Sequence, residues 1–279
     1  MKIDAHQHFW LYNRTDYGWI DDRMQAIKRN FLPADLQPEL TKAGMSGSVA
    51  IQARQSVEET RWLLQLAGQY DFIKGVVGWV DLTSENELKC QLDEFSQSKK
   101  FVGVRHVVHD EPEDNFMLHK DFLKGISLLK EYNLTYDLLL FPKHLPVAEA
   151  VVAMFPEQKF ILDHISKPLI KDQIISPWKE DLNRLAEHSN VWCKLSGMVT
   201  EADRKNQKPE DFYPYLDIVF EAFGSERLMI GSDWPVCLLA GEYKDVIGIV
   251  KSYISGMSDN IQEKILGMNC IDSYGLNVR

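Results

Sequence analysis

The chain has 279 residues, 45% of them hydrophobic and 26% charged, with a formal net charge of −10. This is globular composition at a length that α/β barrels reach as one domain. An acidic surface argues against nucleic acid or an anionic membrane as the main partner, although a local cluster of Arg and Lys leaves room for an anionic substrate. The four cysteines, Cys90, Cys193, Cys237 and Cys270, form no CxxC pair, which argues against a thiolate zinc site or a redox dithiol. They read as reduced thiols of an intracellular protein. Asp4, His6 and His8 interrupt any apolar leader, and no apolar run approaches the ~18 residues needed to span a bilayer. A cytoplasmic protein is expected.

Taken in chain order, short β-branched and apolar runs predict strands at 2–8, 48–53, 74–81, 101–108, 134–140, 159–164, 191–196 and 228–233. The gaps between them read as helices. Residues 33–44 start with Pro33 and stop at Gly44, the expected asymmetry. Residues 56–67 and 84–95 open with Ser56 and Ser84, each followed three residues later by Glu (Glu59, Glu87), a capping-box pattern. Residues 121–132, 144–155, 177–188, 211–223 and 243–254 complete the set, and 258–266 form a ninth helix. Strands alternating with helices imply βαβ units and a parallel sheet. Eight such units in this length match an α/β (β/α)8 TIM barrel, read as one domain over residues 1–279. No repeat signature supports a solenoid.

In such a barrel the catalytic groups sit at the C-terminal ends of the strands. The first strand ends in His6-Gln7-His8, whose histidines share one strand face, the geometry that holds a metal or a reacting carbonyl. The fourth ends in Arg105-His106, the fifth carries Tyr136-Asp137, the sixth ends in Asp163-His164, the seventh in Lys194-Leu195-Ser196, and the eighth in Ser232-Asp233-Trp234. Each has a structural alternative. HxH occurs in polar termini, Asp163 and Asp233 suit helix caps, Arg105 suits a cross-barrel ion pair, and Lys194 suits a solvent-directed position. By strand alternation at most one of Arg105 and His106 faces inward, and His106 is read as structural. His109, His119, His144 and His188 are read as surface residues. The longest loops, 10–32, 109–120 and 197–210, all follow strands.

The segments Asp4-Ala5-His6-Gln7-His8-Phe9-Trp10, Leu162-Asp163-His164-Ile165-Ser166-Lys167-Pro168, Lys194-Leu195-Ser196-Gly197 and Gly231-Ser232-Asp233-Trp234-Pro235-Val236-Cys237 resemble the amidohydrolase superfamily. Within it they resemble the amidohydrolase-related (type 2) branch, and most of all its sugar lactonases. The resemblance runs from Ile3 to the C-terminal Tyr274-Gly275-Leu276. It implies a site of His6, His8, His164 and Asp233. Binuclear members carry a bridging Lys or Glu on the fourth strand and a His on the fifth; this chain has Arg105/His106 and Tyr136/Asp137 there, so a binuclear centre is not expected. The same four residues suit a single zinc or a site that works without metal.

The reaction expected from this resemblance is hydrolysis of a small-molecule sugar (aldono) lactone. Asp233 would act as general base for water. His6, His8, His164 and Arg105, or a metal on the histidines, would steady the charge developing on the carbonyl oxygen. Lys167, Lys194, Trp10, Trp19 and Trp234 are candidate sugar contacts. The alternatives are a metal-dependent decarboxylase, a dicarboxylate (pyrone-type) lactonase, which would need several Arg, with Arg105, Arg54, Arg14 and Arg204 near strand ends or their loops, and an inactive carbohydrate-binding barrel. A homo-oligomer is compatible with the sequence.

Overall fold

The computed structural model describes residues 1–278; only Arg279, the last residue of the expected domain, lies outside it. Eight parallel strands form one sheet in sequence order: β1 Ile3–Gln7, β2 Gly47–Ile51, β3 Ile73–Gly78, β4 Phe101–His106, β5 Thr135–Leu138, β6 Phe160–Leu162, β7 Val191–Leu195 and β8 Leu228–Ile230. Closure comes from the segment after β8. There Asp233 N–H donates to His6 O (2.8 Å), and His8 N–H donates to Trp234 O (2.7 Å). The bond that closes the barrel therefore fixes Asp233 beside His6 and His8. All eight expected strands form, and each predicted run overshoots its strand at the C-terminal end, where the chain has already left the ladder for the loops.

The helices are α1 Pro33–Lys42, α2 Val57–Gln69, α3 Leu88–Phe95, α4 Lys120–Leu129, α5 Leu145–Met154, α6 Trp178–Ala186, a short α7 Met198–Glu201, α8 Tyr213–Phe223, α9 Tyr243–Ile254, α10 Asp259–Glu263 and α11 Asn269–Tyr274. Ser56 caps α2 by accepting from Glu59 N–H (3.3 Å). Only half of the expected capping box forms, because the Glu59 carboxylate instead accepts from the backbone N–H groups of Ala53 and Arg54. Residues 84–87 form a capped turn rather than the start of α3.

One large apolar layer lies between sheet and helices. A second, smaller cluster fills the barrel interior, where Ile3, Val49, Ile51, Val77 and Met229 meet Cys270, Tyr274 and Leu276 of the C-terminal segment. Gly267 lets that segment dock: a Cβ there would stand 2.1 Å from Met1 O. No described helix is long and apolar enough to cross a membrane.

Candidate active site at the strand ends

A cavity of about 540 Å³ opens at the C-terminal ends of the strands. The loops after β1, β2, β4, β6, β7 and β8 all contribute to its wall, including the three long loops singled out in the sequence. His8, Arg105, His164 and Asp233 lie at its inner wall, with Lys167 and Trp19 further round.

Four ligand-type atoms converge there. His6 Nε2 and His8 Nε2 are 3.2 Å apart. Asp233 Oδ1 lies 3.3 Å from His8 Nε2, 3.7 Å from His6 Nε2 and 3.8 Å from His164 Nε2. Hydrogen bonds on the far sides of the rings set their tautomers. His8 Nδ1 lies 2.9 Å from Ile51 O, which only accepts, so Nδ1 carries the proton and Nε2 a lone pair. Arg105 Nη1 only donates, and it lies 3.3 Å from His6 Nε2, so that nitrogen also carries a lone pair; Nδ1, which then bears the proton, lies between Asp163 Oδ1 (3.3 Å), which accepts, and the Lys194 ammonium (3.2 Å). Burial holds His6 and His164 well below the ordinary imidazole range, against the pull of nearby carboxylates. Two imidazole lone pairs and a carboxylate oxygen thus point at one another. A cation between them resolves that clash. Ligand atoms on a tetrahedral zinc with bonds of about 2.0–2.1 Å stand about 3.3 Å apart, close to the spacing of the His6, His8 and Asp233 atoms. The residues fit a divalent metal.

The backbone holds these groups in sparsely populated conformations. Residues His164, Ile165, Ser166 and Lys167 all have positive φ (56°, 47°, 60° and 50°), and Asp233 has φ 58°. Ile165 is β-branched, so this is a costly geometry, of the kind found where function over-determines the chain. The left-handed turn brings both His164 and Lys167 to the cavity. Asp233 has its carboxyl below the usual range; burial alone would raise it, and His164 and His8 outweigh burial.

Beneath the convergence point lies a buried charge network. The Lys194 ammonium ion bridges Asp137 Oδ2 (2.6 Å) and Asp163 Oδ1 (2.8 Å), and Arg105 Nη1 binds Asp163 Oδ2 (2.9 Å). Tyr274 Oη–H also donates to Asp137 Oδ2 (2.6 Å). Lys194 is fully buried and does not reach the cavity, which corrects the expectation of a sugar contact. Two cations, Lys194 and Arg105, stand within 2.9 Å of Asp163, which opposes a further cation at the neighbouring His6, Asp163 and His164 group.

Two tryptophans are likewise corrected. The Trp10 ring is buried among Tyr17, Trp19 and Phe31, and its Nε1–H donates to Arg29 O (2.9 Å). Trp234 is buried against Phe9 and Phe31. Both serve the floor beneath the β1 loop. Trp19 does line the cavity, with Nε1–H donating to Ala53 O (3.1 Å). His106 is structural as expected: Trp79 Nε1–H donates to its Nδ1 and its Nε2–H faces Glu111. Sequence reasoning missed His109, which lines the cavity with Nδ1 2.8 Å from Asp110 Oδ1. Its place at the head of a long post-strand loop was the available signal. It also placed His144 at the surface, whereas that ring is buried and accepts from Phe141 N–H.

The chain is similar to known proteins over nearly its whole length. An L-fucono-1,5-lactonase of Burkholderia multivorans is 38% identical over 263 residues, covering 91% of this chain and 88% of that protein. Another, of Burkholderia ambifaria, is 37% identical over 246 residues, covering 88% and 83%. The crystal structure of an amidohydrolase from Burkholderia multivorans with bound zinc superposes with a TM-score of 0.95 at 37% identity, over 99% of this chain and 100% of that one. The amidohydrolase family profile matches residues 3–276, from the first strand to the segment that plugs the barrel, and on that match the chain belongs to the amidohydrolase family.

Proposed function

We propose that the protein hydrolyses the ring ester of a sugar lactone, L-fucono-1,5-lactone or a close relative. The observation that carries the reading is the convergence of Asp233 Oδ1 with the Nε2 atoms of His6, His8 and His164 beside a cavity of sugar size. The two lactonases that match most of this chain support the substrate class.

His6, His8, His164 and Asp233 would hold a single divalent metal, with zinc favoured by the N and O donor set. When bound, such an ion supplies Lewis acidity to the lactone carbonyl. Asp233 turns Oδ1 to the imidazoles, which leaves Oδ2 to take a proton from the attacking water. Its lowered pKa keeps it ionised for that role. Arg105, cationic and set in the cavity wall, adds positive potential where the carbonyl oxygen gains charge. As the C–O bond of the ring breaks, the proton on Asp233 passes to the departing alkoxide, so the carboxylate is regenerated. Arg105 at Nε2 and Asp163 at Nδ1 favour the Nδ1–H form of His6, against the Lys194 ammonium 3.2 Å from the same Nδ1.

The test is a pH-indicator assay over a panel of aldonolactones, with and without prior chelation. Acid release from L-fucono-1,5-lactone, lost on chelation and restored by zinc, is the expected result. Inert behaviour on every lactone, with carbon dioxide released from a small aromatic acid, would assign a decarboxylase instead.

A further inference from the structure

The outer wall of the cavity carries two ion pairs that the reaction itself does not use. Arg54 Nη1 lies 2.8 Å from Asp16 Oδ1, joining the β2 and β1 loops. Lys167 Nζ lies 3.3 Å from Glu201 Oε1, joining the β6 turn to α7. All four residues line the cavity. The pairs are built rather than incidental. Glu59 fixes Arg54 from behind by accepting from its backbone N–H (3.0 Å). Lys167 stands at the end of the left-handed turn, with φ 50°. Arg105, deeper in the wall, is likewise matched by Asp163. Arg54 Nε–H is buried and has no acceptor among the described residues, so one donor at the first pair is unspent.

Arg204 also lines the cavity, but at Arg54 and Lys167 the cation is matched by a carboxylate, and each pair sets donors beside acceptors. A sugar hydroxyl both donates and accepts, and fits such a pair without displacing it. A substrate carboxylate only accepts. At Arg54 and Lys167 it meets Asp16 or Glu201 as a like charge, and like-charge juxtaposition disfavours binding. We propose that Arg54–Asp16 and Lys167–Glu201 are the specificity determinants of this site: paired clamps for the hydroxyls of a neutral sugar lactone that reject lactones bearing a carboxylate. The proposal rests on the lactonase reading above.

The experiment compares kcat and KM for a neutral aldonolactone with those for an aldarolactone, which carries a terminal carboxylate, in the wild type, Asp16→Asn and Glu201→Gln. Removing the acid keeps the shape and frees the cation. The expected result is a rise of about tenfold in KM for the neutral lactone with kcat nearly unchanged, the mark of lost uniform binding. The preference for neutral over carboxylated substrate should fall by about tenfold or more. Arg54→Gln, which removes the other half of its pair, should raise KM for the neutral lactone without admitting the carboxylated one. Thermal melting confirms that each variant is folded. Unchanged KM and unchanged preference in folded variants, or a loss confined to kcat, overturn the assignment while the lactonase reading stands. A wild type inert on every lactone overturns both.

Discussion

Gly197 lies against the ring of His164: a Cβ at that position would stand 2.4 Å from His164 Nδ1 and 2.5 Å from Cγ. The glycine also has φ 64°, where a side chain adds strain. The close approach lets His164 turn its Nε2 to Asp233 while Nδ1 meets Ser196 Oγ at 2.9 Å. Gly197→Ala must therefore push the imidazole off the convergence point. Misplacement of a reacting group by about 1 Å costs on the order of 10²-fold in rate. We expect kcat/KM to fall by about that factor and zinc affinity, read by competition with a chromophoric chelator, to weaken with it. Native zinc affinity and rate in Gly197→Ala would show that the ring has room to spare.

Asp233→Asn tests the general base. The backbone N–H of residue 233 still donates to His6 O, so barrel closure is retained, while the amide has no basic oxygen. General-base removal typically costs about 10²–10⁴-fold, and the loss should fall on kcat with a melting temperature close to that of the wild type. A near-native rate on the lactone would move the base elsewhere in the cavity.

Lys194→Met tests the network under the site. The substitution leaves Asp137 and Asp163 buried together with one cation, Arg105, to serve them. Breaking a buried pair by removing one partner costs about 3–5 kcal/mol, so the urea midpoint should fall steeply. Adding Asp137→Asn removes the stranded charge and should recover part of that loss. If the double variant is no more stable than Lys194→Met, Asp137 is not the group that Lys194 neutralises.

The strand count and the candidate-site residues His6, His8, His164 and Asp233 were legible because the barrel puts polar groups directly after apolar runs, where a linear pattern exposes them. What was not legible depended on direction. Lys194 and Trp10 have the right chemistry for sugar contact, but Lys194 points into the barrel toward two acids and Trp10 into the β1 loop core. No periodicity reports that. The left-handed run at residues 164–167 was also invisible, since Ile165 and Lys167 carry no preference for positive φ. Glu59 satisfied the capping-box pattern in sequence, yet its carboxylate serves the neighbouring loop, because the N–H groups of Ala53 and Arg54 have no strand partner there.

That role makes Glu59 a pH-sensitive support for the cavity wall. Its carboxylate accepts from Ala53 and Arg54 N–H and from Tyr17 Oη–H, and Ala53 and Arg54 line the cavity. Burial nonetheless pushes its pKa up from 4.5 to about 7, with those donors opposing the rise. Between the two values the native state keeps a proton that the unfolded chain has released, so stability falls as pH rises. The contribution is complete below about pH 4.5 and is lost as pH passes through about 7. The difference corresponds to about 3 kcal/mol. Glu59→Gln stays neutral at every pH and lacks this slope. Urea unfolding from pH 4.5 to 8.5 should therefore show the wild type losing about 3 kcal/mol relative to the variant across that window, with most of the change between pH 5 and 7.5. Parallel stability profiles would mean that the three donors hold Glu59 ionised in the native state throughout.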